Sequence, residues 1–103
     1  MSNPTIDKIE KAIKSGKIVM FVKGTPQAPM CGFSASTMKL FAELNAPFQT
    51  VDVLANPDIR ATLPEYSQWP TFPQVFIDGK LIGGADIVRE MYESGELQQL
   101  LKQ

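Results

Sequence analysis

At 103 residues and 44% hydrophobic content, the chain supports one domain built on a single core, spanning residues 1–103. Its 10 Lys plus Arg against 11 Asp plus Glu leave a net charge of -1, too balanced for a nucleic-acid face or attraction to an anionic membrane. No stretch approaches the ~20 apolar residues of a membrane span, and the N-terminus lacks the cationic start and apolar run of a signal peptide. One Cys and no His exclude an internal disulfide, a Cys-His dyad and any His-ligated metal. An unpaired thiol fits a reducing compartment, so a cytoplasmic protein is expected.

In chain order, Asn3-Pro4 marks a helix start, and Ile6, Ile9 and Ile13 at spacings of three and four predict a helix from about Thr5 to Ser15, stopped by Gly16. Ile18 to Val22 is an apolar run without alternation, the pattern of a central strand covered on both faces. A loop, Lys23 to Met30, leads to Cys31. From there Phe33, Met38, Phe41 and Leu44 keep helical phase until Asn45 and Pro47, and a second strand follows over Phe48 to Val53. Asn56-Pro57 repeats the cap-then-proline signal and opens a helix through Ile59 and Leu63 that Pro64 is expected to shorten or distort.

Trp69-Pro70-Thr71-Phe72-Pro73 is too proline-rich for helix. Gln74 to Ile77 and Lys80 to Ile82 are short β-rich runs flanking Asp78-Gly79, a strong hairpin signal. Gly83-Gly84 ends the second run, Asp86 is expected to cap a helix carrying Ile87, Val88 and Met91, and a last turn or two after Gly95 carries Leu97, Leu100 and Leu101. The order αβαβαββα contains a βαβ unit, which forces a parallel pair with a right-handed crossover, plus an antiparallel hairpin. The economical solution is an α/β fold with a four-stranded mixed sheet and helices on both faces. In such sheets a reactive group sits beyond the carboxyl end of a central strand, at the start of the next helix. Cys31 occupies that position.

A thiol at a helix N-terminus feels the positive end of the macrodipole, worth ~0.3 to 1 kcal/mol, which lowers its pKa. Lys23 nearby would lower it further, so that a thiolate forms near neutral pH without a histidine. Gly32 and Phe33 shape access to the sulfur, Phe33 also lying in phase with the packed side of its helix. Gly83-Gly84-Ala85-Asp86 brings backbone N–H groups and a carboxylate to a helix start, suited either to a ligand bearing both a carboxylate and an ammonium or simply to ending a strand and capping a helix.

Cys31-Gly32-Phe33-Ser34, with Lys23 before it, Trp69-Pro70-Thr71-Phe72-Pro73 in mid-chain and Gly83-Gly84-Ala85-Asp86 after the hairpin, resembles the monothiol glutaredoxins of the thioredoxin-like fold, in their short single-domain bacterial form. The similarity spans essentially the whole chain. It implies that Cys31 is the reactive thiol and that glutathione lies in a groove. Lys23 and Arg60 would take its glycine-end carboxylate, the Phe72 backbone its cysteinyl unit, and Gly84, Ala85 and Asp86 its γ-glutamyl end. Pro73 would be the cis-proline of the fold, following Thr71 and Phe72.

Ser34 stands where dithiol relatives carry a resolving cysteine, and is read as a first-turn residue satisfying backbone. Ala85 stands where many relatives carry a second cysteine, which leaves no alternative thiol for redox regulation. The resemblance implies two functions. One is carriage of a 2Fe-2S cluster, bridging two protomers through Cys31 and glutathione thiolates, with a homodimer when loaded, a BolA-like protein as alternative partner and apoproteins as acceptors. The other is glutathione-dependent disulfide oxidoreduction with Cys31 as nucleophile, at most weak. The carrier is the preferred expectation, and a thioredoxin-fold adaptor using the groove only for protein contacts ranks last.

Overall fold

Asn3 caps the first helix through its side chain, which accepts from the N–H groups of Thr5 and Ile6 at 2.9 and 3.3 Å, and Pro4 takes the first helical position where its missing N–H costs nothing. The computed structural model describes residues 3–102. Its elements are α1 (Pro4–Ile13), β1 (Ile18–Val22), α2 (Gly32–Glu43), β2 (Gln49–Asp52), α3 (Pro57–Ser67), β3 (Gln74–Ile77), β4 (Lys80–Gly83), α4 (Ala85–Ser94) and α5 (Glu96–Leu101).

The four strands form one mixed sheet in the order β2-β1-β3-β4. β1 runs parallel to β2 and antiparallel to β3, which pairs antiparallel with β4. All five residues of β1 are buried, as its unbroken apolar run requires. Alternation along the strand divides them between two cores. Ile18, Met20 and Val22 join Val75 and Ile77 under α2, α4 and α5 through Met38, Phe41, Val88 and Leu97. Val19, Phe21 and Phe76 face the other way onto α1 and α3 through Ile9, Ile13, Ile59 and Leu63. Phe21 and Phe76 pack edge to face there, with ring centroids 5.6 Å apart. The expected α/β architecture, a thioredoxin-like sheet with helices on both faces, is thus observed.

The β3–β4 turn has positive φ at both Asp78 (51°) and Gly79 (79°), the backbone that an Asp-Gly hairpin supplies. Three details differ from expectation. Pro64 lies inside α3 without ending it, because the ring removes only the bond to the carbonyl of Arg60, a residue exposed to water. Gly84, not Asp86, is the N-cap of α4, leaving Asp86 in the first turn. The buried positions of α2 are Ser34, Thr37, Met38 and Phe41, so its packed face is offset and Phe33 points out, 63% exposed.

Candidate functional site

The path from β1 to Cys31 is fixed by a tightly closed loop. Gly24 has φ of 98°, and a Cβ there would fall 2.5 Å from the Ala28 carbonyl oxygen and 2.7 Å from the Met30 nitrogen, so only glycine fits. The Met30 N–H donates back to the Lys23 carbonyl at 2.9 Å, which folds the loop so that Cys31 returns to the end of the strand it left. The loop is tied to β2 by the Asp52 carboxylate, whose Oδ1 accepts from the N–H groups of Gly24 and Leu54, each at 2.9 Å.

Cys31 is the N-cap of α2, with extended backbone at φ -154° and ψ 131°. Its half-buried sulfur makes no closed cap hydrogen bond as a neutral thiol, yet the first-turn donors face it and favour the thiolate. The thiol pKa is lowered. The backbone N–H of Ser34 is the largest cause. Burial acts in the opposite sense and is followed by the Phe33 N–H, the Ser34 hydroxyl and, last, the charge of Lys23. The helix start rather than Lys23 is therefore the chief activator. Ser34 itself is fully buried and does two things at once: its Oγ accepts from the Lys23 N–H at 3.2 Å, and its hydroxyl favours the anionic sulfur. The expectation that Ser34 serves backbone holds, with a second duty added.

A cleft of about 730 Å³ opens beside the sulfur. It is lined by all nine residues singled out from the sequence: Lys23, Cys31, Arg60, Thr71, Phe72, Pro73, Gly84, Ala85 and Asp86. Three loops, at the carboxyl end of β1, after α3 and at the start of α4, bring them together, with Arg60 reaching in from α3 itself. The Phe72–Pro73 bond is cis. Neither the N–H nor the C=O of Phe72 takes a hydrogen bond within the described chain, which leaves an open extended edge on the cleft wall.

Charge is arranged along the cleft. Lys23 and Arg60 have no carboxylate partner among the described residues. At the other end α4 begins with no side-chain cap, so its first N–H groups and the Asp86 carboxylate stand together. Among the described residues Asp86 pairs with Arg89, at 3.3 Å, and with side chains 79% and 66% exposed that pair is worth no more than ~1 kcal/mol. Gly84 is favoured by close approach: a Cβ there would lie 3.1 Å from the Trp69 Nε1 and 3.2 Å from the Pro73 carbonyl oxygen, so the wall would have to give by a few tenths of an ångström. The cleft thus offers an exposed carboxylate that could accept from an ammonium, N–H donors that could take a carboxylate, an open backbone edge and two cations without a carboxylate partner among the described residues.

The glutaredoxin family model matches residues 18–82, from the start of β1 into β4. The chain is 54% identical over 99 residues to glutaredoxin 4 of Escherichia coli strain K12, covering 96% of this chain and 86% of that protein. The chain belongs to the glutaredoxin family. With a single cysteine it is a monothiol glutaredoxin. Among solved structures, reduced apo GrxS14 of poplar superposes with a TM-score of 0.82 at 47% identity, covering 94% of this chain and 89% of that one. A buckwheat glutaredoxin, solved as a complex with glutathione, superposes at 0.84 with 33% identity, covering 95% and 87%.

Two polar residues of this glutaredoxin, Asp52 and Gln74, escaped the reading of the sequence. Asp52 holds the start of the active loop at Gly24, next to the Lys23 N–H that Ser34 accepts from, and Gln74, fully buried at the start of β3, bonds to the loop that forms the cleft wall. A lone polar residue heading an otherwise apolar strand run is the signal that could have exposed Gln74.

Proposed function

We propose that this glutaredoxin binds glutathione in the cleft beside Cys31 and uses the pair of sulfurs to carry a 2Fe-2S cluster between proteins. The observation that carries the reading is the lone activated sulfur at the mouth of a cleft fitted to a tripeptide. Lys23 and Arg60 would hold the glycine-end carboxylate, the Phe72 edge would pair with the cysteinyl backbone, and the α4 start with Asp86 would take the γ-glutamyl carboxylate and ammonium. A second thiol would then lie beside the first. A 2Fe-2S cluster requires four thiolates, and the chain has one cysteine. Among the described residues no group of three or more metal-ligating side chains exists, so the remaining donors must come from outside. Two protomers with one glutathione each close the count. Such a cargo site, held by external contacts, favours delivery to acceptor apoproteins, and a BolA-like protein is a second candidate for the partner position. We assign the protein to the cytoplasm, where thiols stay reduced.

Anaerobic reconstitution with iron, sulfide and glutathione tests this. A coloured dimer that Cys31→Ser abolishes is expected. A wild type that stays colourless and monomeric sinks the carrier reading.

The lowered thiol pKa favours a second activity at the same sulfur. The Cys31 thiolate would attack the glutathione sulfur of a protein–glutathione disulfide, expelling the protein thiolate. A second glutathione thiolate would then attack the mixed disulfide, releasing oxidised glutathione and restoring Cys31. No oxidant is needed. Sustained turnover of a glutathionylated substrate would put this reading first.

A further inference from the structure

We propose that Gln74 is a positioning residue that sets the cleft wall for its peptide ligand. The proposal rests on the reading of the cleft as a glutathione site. Gln74 opens β3 and is completely buried. Alternation along β3 turns its side chain to the same face as Phe76, the face covered by α1 and α3. The segment leaving α3 passes there. Helix α3 ends at Gln68 in the left-handed region, with φ of 59°, and neither Pro70 nor Pro73 has a backbone N–H to donate. A segment so poor in donors satisfies few of its own carbonyls, and its Trp69 N–H already goes to the Pro64 carbonyl at 3.1 Å.

Gln74 supplies the missing donors. Its Nε2 donates to the Trp69 carbonyl at 2.9 Å and to the Thr71 carbonyl at 3.2 Å. Both amide hydrogens go to the same wall, and these two carbonyls fix which way the amide faces. They flank Pro70 and immediately precede Phe72, whose own N–H and C=O remain open to the cleft. The Oε1 finds no partner. A buried amide satisfied on one side only is a poor choice for a core position that Met or Leu could fill. What distinguishes glutamine here is the two-point hold on the loop. With the carbonyls of Trp69 and Thr71 drawn inward, the Phe72 peptide edge is held out toward the ligand. The strand itself is the rigid support.

The test compares glutathione affinity, measured by calorimetry on the reduced apoprotein, with thermal stability in three variants. Gln74→Met keeps length and apolar packing but donates nothing. Gln74→Asn keeps an amide that is one methylene too short to reach both carbonyls. Ile13→Val lowers stability from the α1 face without touching the cleft. We expect Gln74→Met to weaken glutathione binding about tenfold, the loss of roughly one hydrogen bond's worth of order in the wall. Gln74→Asn should lie between it and the wild type, and Ile13→Val should leave affinity unchanged at a comparable loss of melting temperature. If Gln74→Met does not fold, the same decision falls to Gln74→Asn. Affinity within twofold of the wild type in folded Gln74 variants would overturn the role of Gln74 alone. A wild type that binds no glutathione would overturn the reading of the cleft and this proposal with it.

Discussion

The backbone N–H of Lys23 donates to the side-chain oxygen of Ser34 at 3.2 Å, a bond that joins the end of β1 to the first turn of α2 across the residue that carries the thiol. Lys23 and Ser34 thus stand on either side of Cys31 as one bonded unit. Removing the hydroxyl has two separable effects. The Lys23 N–H loses its acceptor in a half-buried place, which costs about 1 to 3 kcal/mol. The thiolate also loses a donor while keeping the stronger one, the Ser34 backbone N–H. Ser34→Ala should therefore lower the urea midpoint and raise the thiol pKa, without returning it to that of a free cysteine. Thiolate absorbance against pH reads the second effect, and an unchanged titration would remove the hydroxyl from the site.

The lowered thiol pKa makes stability depend on pH in a defined sense. Between the folded pKa and the ~8.5 of an unfolded cysteine, the folded state is ionised while the unfolded state holds the proton. Stability must rise with pH across that window. The contribution is complete above the unfolded value and disappears as pH falls through the folded one. Tyr66, whose pKa is raised by burial and then by its bond to Glu10, works oppositely, favouring the fold until pH passes the ordinary tyrosine value near ~10. The two windows do not overlap below about pH 9. Urea unfolding from neutral pH to that point should show a positive slope that Cys31→Ser reduces; equal slopes would mean the thiol is not activated in the fold.

How much of this was legible in the chain depends on the kind of signal. Ile18 to Val22 announced a strand buried on both faces because only an unbroken apolar run can fill two cores, and Asn3-Pro4, Asn56-Pro57 and Asp78-Gly79 announced a helix start, a helix start and a hairpin through backbone chemistry that acts locally. The cleft residues were legible through their resemblance to a family pattern. Asp52 and Gln74 were not, nor was which backbone group Ser34 would serve, since each bonds to backbone whose position is set by the tertiary path, and a polar side chain's partner leaves no periodic trace. Phe33 was read as shaping access to the sulfur, and it does line the cleft, but its packing was misjudged for the complementary reason. Ser34 and Thr37 occupy the buried face of α2 despite their polarity, so hydrophobic phase alone rotated the helix the wrong way.

Arg60 and Arg89 offer a contrast at the two ends of the cleft. Arg60 has no carboxylate partner among the described residues, so a ligand carboxylate would gain a charge-assisted bond there without displacing anything. Such a bond contributes roughly 1.5 to 3 kcal/mol, and Arg60→Ala should weaken glutathione binding about tenfold or more. Arg89 touches Asp86 only through an exposed pair, so Arg89→Ala should leave affinity equal or slightly tighter, within about twofold. Calorimetry on both variants decides the matter; an Arg60→Ala protein with wild-type affinity would take Arg60 out of the site.

The last expectation concerns the surface around the sulfur. Phe33 is 63% exposed and Met30 69%, so two large apolar side chains flank Cys31 in open solvent. Their burial contributes little to the monomer, and Phe33→Asp should change its stability by no more than about 0.5 kcal/mol. In a cluster-bridged pair the two Cys31 sites face each other, and a symmetric interface sets each surface patch against its own copy. Two such carboxylates brought close repel, so Phe33→Asp should bind glutathione within about threefold of the wild type yet fail to form the coloured dimer. Size-exclusion chromatography with absorbance at visible wavelengths after anaerobic reconstitution measures this directly. A Phe33→Asp protein that loads and dimerises at wild-type yield would show that the exposed ring lies outside the contact between protomers, and would leave Cys31 and glutathione alone to hold the pair together.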